Sequence, residues 1–255
     1  MLRIDIRSKK TGIIEVDHGI KKLFDYSDTS RRENTGISII IPVRNRVVCL
    51  QHTLAALLGQ SASTFEIIIV EDDEYPKLVS TIPDSPNVRY KYLHNRNRFN
   101  IAKAVAAGVQ MASYPLLCAH SVDLIPQRDY IADVSDKLLH FDYVILIDKI
   151  YKINAMEGEQ WIWDGDTVDE YQIGSIGVRK RYYQSSGGMS PLLTDPAMSW
   201  KEFQVRSSDA KYYIAKAAQF IHIGHETLPI DVEEHQRNSI IYDWLLRGRP
   251  QVGGI

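Results

Sequence analysis

The stretch Leu116-Leu117-Cys118-Ala119-His120-Ser121-Val122-Asp123-Leu124-Ile125-Pro126 constrains this chain more than any other. An apolar run leads to an acidic residue, and a proline follows three residues later. Such a run reads as a buried strand that delivers one carboxylate to a sheet edge. In an open α/β sheet the carboxyl ends of the strands are where ligands gather. The plainer alternative is that Asp123 caps a helix starting near Pro126.

The flanking pattern supports an α/β reading. Residues 37–43 form a near-continuous β-branched run, as a strand covered on both faces requires. Residues 47–60 place Val47, Leu50, Leu54, Leu57 and Leu58 on one helical face. Strands are predicted at 65–70, at 88–92 with Val88, Tyr90 and Tyr92 alternating, at 116–119 and at 143–147. Helices are predicted at 101–112 and around 130–139. Strands alternating with helices imply right-handed βαβ units and a largely parallel sheet. After about residue 150 the period breaks down. Residues 209–219 and 232–248 read as helices flanking a strand at 220–223. In the last of these, Arg247 falls in the final turn and Gly248 stands where a C-cap glycine belongs. Residues 1–36 form an N-terminal extension, with a short hairpin around Lys9-Lys10-Thr11-Gly12 and then a polar linker. Residues 37–255 form the main domain, with 37–126 as its ligand-binding half and 127–255 as its second half, which includes a smaller C-terminal subdomain.

Composition excludes some partners. The chain has 30 basic and 32 acidic residues and a net charge of −2, so nothing global favours nucleic acid or an anionic membrane. Cys49 and Cys118 both sit in apolar runs, which argues against a disulfide scaffold and for a reducing compartment. No apolar run approaches the ~18 residues of a spanning helix. A cytoplasmic location is expected, with docking on a membrane-associated assembly partner left open.

Chemistry-bearing residues recur at the predicted strand ends. Pro42-Val43-Arg44-Asn45-Arg46 follows the first strand, and Glu71-Asp72-Asp73-Glu74 follows the second. A carboxylate there can accept from an N–H of a ligand, and an arginine can meet a phosphate with two parallel bonds. His94-Asn95-Arg96-Asn97-Arg98-Phe99-Asn100-Ile101-Ala102-Lys103 puts Arg96, Arg98 and Lys103 at a helix N-terminus, which itself attracts anions. That arrangement suits a diphosphate. Trp161 and Trp163 alternate on a strand or hairpin. They read either as an indole platform for a sugar ring or as core of the second half.

Taken together these segments resemble the inverting nucleotide-sugar glycosyltransferases of the GT-A fold, family 2-like. The opening is similar to Pro-x-x-Asn-Arg followed by Val-Asp-Asp-Gly-Ser, with Asp72 on the base-holding aspartate and Glu71 in place of its neighbour. Ser121-Val122-Asp123-Leu124-Ile125-Pro126 resembles the Asp-Val-Asp-Leu-Ile-Pro form of galactosyltransferases of the lactose-synthase type, with Ser121 in place of the first aspartate. Phe99-Asn100-Ile101-Ala102-Lys103 is similar to their Phe-Asn-Arg-Ala-Lys. Gly187-Gly188-Met189-Ser190 is similar to their Gly-Gly-x-Ser, where the backbone lies close to the transferred sugar.

The resemblance implies a donor cleft lined by Pro42, Arg44, Arg46, Glu71, Asp72, Arg96, Arg98, Phe99, Lys103, Ser121, Val122 and Gly188. It implies Mn²⁺ or Mg²⁺ on Asp123 and a histidine after the 220–223 strand, His225 ahead of His222. The family's Glu-Asp-x-Asp stretch falls on Arg206-Ser207-Ser208-Asp209. Asp209 is therefore the first candidate general base and Glu202 the second, with Asp209 equally readable as a helix N-cap. The implied partners are a UDP-sugar donor and a glycan or other hydroxyl acceptor. Ser121 and Ser207 stand where acids are expected. They support a rival reading, a catalytically weakened relative that binds nucleotide sugar or glycan or scaffolds a partner enzyme. A nucleotidyltransferase predicts a glycine-rich loop after the first strand, and residues 42–46 contain no glycine.

Overall fold

The computed structural model describes residues 5–7, 13–15, 36–62, 64–147, 149–157, 160–168, 174–207, 210–215, 217–223 and 232–247. Strands β1 (Asp5–Arg7) and β2 (Ile13–Glu15) pair antiparallel, the hairpin expected at the N-terminus. The main body opens with β3 (Ile37–Val43), α1 (Val47–Leu58), β4 (Phe65–Asp73), β5 (Val88–His94), α2 (Ile101–Met111) and β6 (Leu116–His120). Then follow β7 (Leu124–Pro126), α3 (Tyr130–Leu138), β8 (Tyr143–Leu146), β9 (Lys149–Glu157), β10 (Gln160–Val168) and β11 (Ser175–Arg179). The chain continues through α4 (Lys180–Ser185), α5 (Pro196–Arg206), β12 (Tyr212–Ala215), β13 (Gln219–Ile223) and α6 (Val232–Arg247).

Seven strands form the main sheet in the order β12-β8-β11-β6-β3-β4-β5. Strand β3 is parallel to β4 and β6, and β4 is parallel to β5. The order β5-β4-β3-β6 is that of a doubly wound half-sheet, and its direction of winding reverses between β3 and β6. In open α/β sheets ligands generally bind at such a switch point, outside the carboxyl ends of the strands. Strand β11 then runs antiparallel to both β6 and β8. A second sheet, β10-β9-β13-β7, takes the chain directly from β6. Residues 121–123 are thus the crossing from one sheet to the other.

The core follows from the sequence pattern. Every residue of β3 is buried, and Ile67, Ile68, Ile69 and Val70 of β4 have no exposed surface. Burying each such side chain contributes about 1.5–3 kcal/mol before entropy is counted. Helix α2 lies close on β3 because Gly108 has no side chain: a Cβ there would sit 2.4 Å from Ile40 Cγ2.

Two expectations need correction. Val47 and Leu58 are 37% and 38% exposed, while Cys49 and Thr53 join Leu50, Leu54 and Leu57 in the buried face of α1. Thr53 is admitted because its hydroxyl donates to the carbonyls of Val122 (2.7 Å) and Leu124 (3.4 Å). The helix expected at 209–219 is instead strand β12, parallel to β8. Tyr212, Tyr213 and Ile214 are strand formers, and tertiary pairing overrides the helical spacing. The aperiodic stretch after 150 contains the long β9–β10 hairpin, in which Trp161 pairs with Met156 and Trp163 with Ile153. The two indole side chains lie outside the described residues. Among the described residues no helix is long and apolar enough to cross a membrane.

Candidate active site

Strands β3, β4 and β6 are parallel, so their polar ends converge on one edge. After β3, Asn45 takes φ 51°, a left-handed conformation that asparagine tolerates better than most residues. Arg44, half-buried, donates to the backbone carbonyls of Asn97 and Asn95 and lies 3.4 Å from Asp73. It thereby ties the β5–α2 loop to the end of β4.

Asp72 is 2% exposed. Its Oδ2 accepts from Asn95 Nδ2 (2.9 Å) and from the Asn100 backbone N–H (2.8 Å). Glu71, expected at the ligand, has its carboxylate committed elsewhere. Oε1 accepts from the Lys77 N–H (2.8 Å), and Oε2 from the Leu78 N–H (3.3 Å) and the Tyr90 hydroxyl (2.5 Å). Burial first, and then the bond to Glu71, push the Tyr90 hydroxyl pKa up, so it stays a donor. Glu71 therefore shapes the loop after β4. Neighbouring side chains alternate along a strand, and this turns it away from Asp72.

Asn95 and Asn100, which carry no assignment from the sequence alone, are the two residues that donate to Asp72. Asn100 caps α2, its Oδ1 accepting from the Lys103 N–H (3.0 Å), while its Nδ2 donates to the Pro191 carbonyl (2.9 Å). One residue thus touches Asp72, the start of α2 and the second half of the chain. An asparagine just before an apolar-periodic run is a cap signal, and that signal was available in the sequence. Around the same helix start, Phe99 packs on the core and Lys103 is exposed. Arg96 lies 3.8 Å from Glu74, and Arg98 pairs with Glu234 of α6.

The crossing turn is pinned from several sides. Ser121 N–H donates to the Gly174 carbonyl (2.6 Å), and Ile223 N–H donates to the Asp123 carbonyl (2.9 Å). Val122 is buried and its carbonyl receives the Thr53 hydroxyl. Ser121 Oγ donates to Asp123 Oδ1 (2.5 Å), and His222 Nε2 lies 3.7 Å from Asp123 Oδ2. Helix α3 starts at Tyr130 after strand β7, so Asp123 is not its cap. Of the two candidate histidines, His222 is the one seen beside Asp123, and His225 lies outside the described residues. Among the described residues no group of three or more His, Cys, Asp or Glu side chains is arranged to hold a metal. One carboxylate, one imidazole and one hydroxyl nevertheless form a mixed oxygen and nitrogen set. It suits Mn²⁺ when a diphosphate supplies the remaining oxygens.

Beneath this turn His120 is fully buried. A carbonyl cannot donate, so His120 Nε2–H donates to the Leu124 carbonyl (2.9 Å) and Nδ1 accepts from Ser175 Oγ (2.7 Å). Ser175 in turn accepts from Tyr130 (2.9 Å). Burial dominates and lowers the His120 pKa to about 4. Burial also pushes the Cys118 thiol up to about 12, and burial with the nearby Asp123 charge raises Cys49. Neither cysteine is a nucleophile under these conditions.

On the second side, Gly187 and Gly188 have φ of 81° and 64°. Glu202, expected as a second candidate base, has no exposed surface and is bound by Arg206. Asp209 lies outside the described residues.

Comparison with known proteins adds the family. The model of glycosyl transferase family 2 matches residues 38–191. A chondroitin synthase from Pasteurella multocida (strain Pm70) is 26% identical over 137 residues, which are 52% of this chain and 14% of that protein. The structure of S. aureus TarS 1–349 superposes with a TM-score of 0.60 at 12% identity, covering 84% of this chain and 66% of that one. The same fragment in complex with UDP gives 0.59 at 13% identity, with the same coverage. The chain therefore spans less than two thirds of the relatives it matches. With a mostly parallel sheet wound about the β3/β6 switch point and the family pattern over more than half its length, the chain belongs to glycosyl transferase family 2 and has the GT-A fold.

Proposed function

We propose that the chain transfers a hexose or N-acetylhexosamine from a UDP-sugar to a glycan or other hydroxyl acceptor, with inversion and with assistance from Mn²⁺ or Mg²⁺. The observation that carries this reading is the placement of Asp72 and Asp123 at the ends of β4 and β6, on either side of the β3 switch strand. The UDP complex of TarS and the chondroitin synthase match support a UDP-sugar as donor and a polysaccharide as product class.

In this reading Asp72, steadied by Asn95 and Asn100, accepts from the uracil imide. Arg98, Lys103 and the N-terminus of α2 face the diphosphate. Asp123 and His222, with His225 as the further candidate, would hold the cation, which when bound offsets charge on the leaving diphosphate. Asp209 is the candidate base: it takes the acceptor hydroxyl proton while the new C–O bond forms and the bond to UDP breaks. Ser121 orients the Asp123 carboxylate.

A second reading, a binder with weakened catalysis, draws on Ser121 occupying an acid's position. UDP release from UDP-glucose and UDP-N-acetylglucosamine, with oligosaccharide acceptors and with Mn²⁺ or chelator, separates the two. Transfer predicts release that needs the cation and falls ~10²–10³-fold in Asp123→Ala, a loss typical of removing one charge-stabilising group. Tight UDP binding without release from any donor and acceptor pair would identify the binder.

A further inference from the structure

The Glu202–Arg206 pair lies on α5, and no step above uses it. Both residues lie on α5 at i and i+4, one above the other on the same face. Glu202 has no exposed surface, and its two oxygens accept from Arg206 Nε and, at 3.3 Å, from Nη2. The guanidinium does not stop there. Nη1 donates to the Ser186 carbonyl and Nη2 to the Gly188 carbonyl. Those carbonyls flank a turn in which both glycines are left-handed.

Gly188 is seated over an aromatic ring, and a Cβ there would come within 2.7 Å of Tyr183 Cε1. The Tyr183 hydroxyl accepts from the Met189 N–H (3.3 Å). Three residues on, the Pro191 carbonyl accepts from Asn100, whose own N–H binds Asp72. Hydrogen bonds and the short backbone segment from Gly188 to Pro191 therefore connect Glu202 through Arg206, the glycine turn and Asn100 to Asp72.

We propose that Arg206, held by Glu202, is a positioning residue that sets the Gly187-Gly188 turn against the donor cleft, and that Glu202 acts through Arg206 rather than as a base. This rests on the glycosyl-transfer reading above. A general base must reach the acceptor proton directly or through one water. A carboxylate with no exposed surface and both oxygens on a guanidinium does not. Arginine suits the task because its planar fork can grip a carboxylate and two carbonyls at once, which a lysine cannot. Small displacements of a reacting group are expensive, so losing the grip should appear at the sugar rather than at the nucleotide.

The test measures calorimetric Kd for UDP, UDP-glucose and UDP-N-acetylglucosamine, with kcat and its pH profile, in Arg206→Lys, Glu202→Gln, the double variant and Gly188→Ala. The Kd for UDP is expected to stay within about 2-fold of wild type. The extra affinity of the better UDP-sugar over UDP should fall about 10-fold and kcat about 10–100-fold, with the shape of the pH profile kept. The double variant should lose little beyond either single one, since the two residues act as a unit. Gly188→Ala reaches the same turn by another route and decides the matter if Arg206→Lys does not fold.

Loss of turnover and of the acid limb of the pH profile in Glu202→Gln, with Arg206→Lys at wild-type rate, would make Glu202 the base and overturn the proposal. A lowered Tm with the sugar increment and kcat intact in both Arg206→Lys and Gly188→Ala would also overturn it. Wild-type protein that fails to bind UDP would instead defeat the glycosyl-transfer reading on which the proposal stands.

Discussion

Asp72 and Glu202 are both carboxylates with almost no exposed surface, 2% and 0%, one at the end of a strand in the first half and one on a helix in the second. They are satisfied by different chemistry. Asp72 accepts from an amide side chain and a backbone N–H, both neutral, at one oxygen. Glu202 accepts from a guanidinium at both. Neutral donors stabilise a carboxylate without cancelling its charge, which is what the proposed role of Asp72 at the donor requires. A guanidinium cancels that charge locally and leaves an ion pair whose role is to hold something else in place. Burial is almost the same at the two acids; what differs is the charge of their partners, and the proposed reading assigns the acid with neutral partners to the ligand.

The largest test of this contrast lies where the two halves meet, at His120 of β6, Ser175 of β11 and Tyr130 of α3. His120 is held neutral, with its pKa lowered from 6.5 to about 4. The unfolded chain binds a proton between those values and the folded chain does not. Stability should thus be intact above pH 6.5 and fall as pH drops toward 4, by about 3 kcal/mol in all. Denaturant unfolding of wild type and His120→Gln at pH 7 and pH 4.5 checks this. An equal acid loss in both would place the sensitivity elsewhere.

Next in size is Asp72→Ala. It should weaken UDP by about 1.5–3 kcal/mol, the worth of hydrogen bonds to a charged group, and by the same amount with Mn²⁺ or with chelator. Glu202→Gln should leave UDP affinity nearly unchanged, and similar losses in the two variants would break the comparison.

Gly108→Ala probes the packing behind Asp72. The added Cβ would sit 2.4 Å from Ile40 Cγ2, so α2 must shift from β3 at a cost of about 1–3 kcal/mol by chemical denaturation. If UDP affinity falls with stability, the helix N-terminus is part of the donor site. If stability alone falls, it is only scaffold.

The smallest effect concerns Arg98, which pairs with Glu234 of α6 while half exposed. Glu234→Gln weakens that pair and should tighten UDP binding by about 0.5 kcal/mol, the scale of a solvated ion pair. Titration at two ionic strengths would show the gain shrinking as salt screens it.

Legibility differed between the halves for the same reason that their chemistry differs. In the first half, local pattern and global fold agree: β3 has the predicted bounds, 37 to 43, and α2 ends one residue short of its expected end. In the second, the apolar spacing of residues 209–219 fits a helix, yet pairing with β8 makes residues 212–215 a strand. Strand choice there depends on an edge supplied by a segment some 70 residues earlier, which no local window contains. The site followed suit. Asp72 and Asp123 were legible as acids at strand ends, while Glu71, one residue from Asp72, turned out to serve its own loop.

The sequence by itself determined the alternation of buried strands and helices, and with it the parallel sheet and the edge where Asp72 and Asp123 stand. Side-chain period and β-branched content are local quantities, and they suffice for that. Only the tertiary structure decided the remaining assignments: the crossing of residues 121–123 between two sheets, the place of His222 beside Asp123, the three-way bonding of Asn100 and the capture of Glu202 by Arg206. Each of those depends on which polar group meets which partner after the chain has closed. A residue's type gives its capacity to donate or accept, but only its neighbours in space decide where that capacity is used.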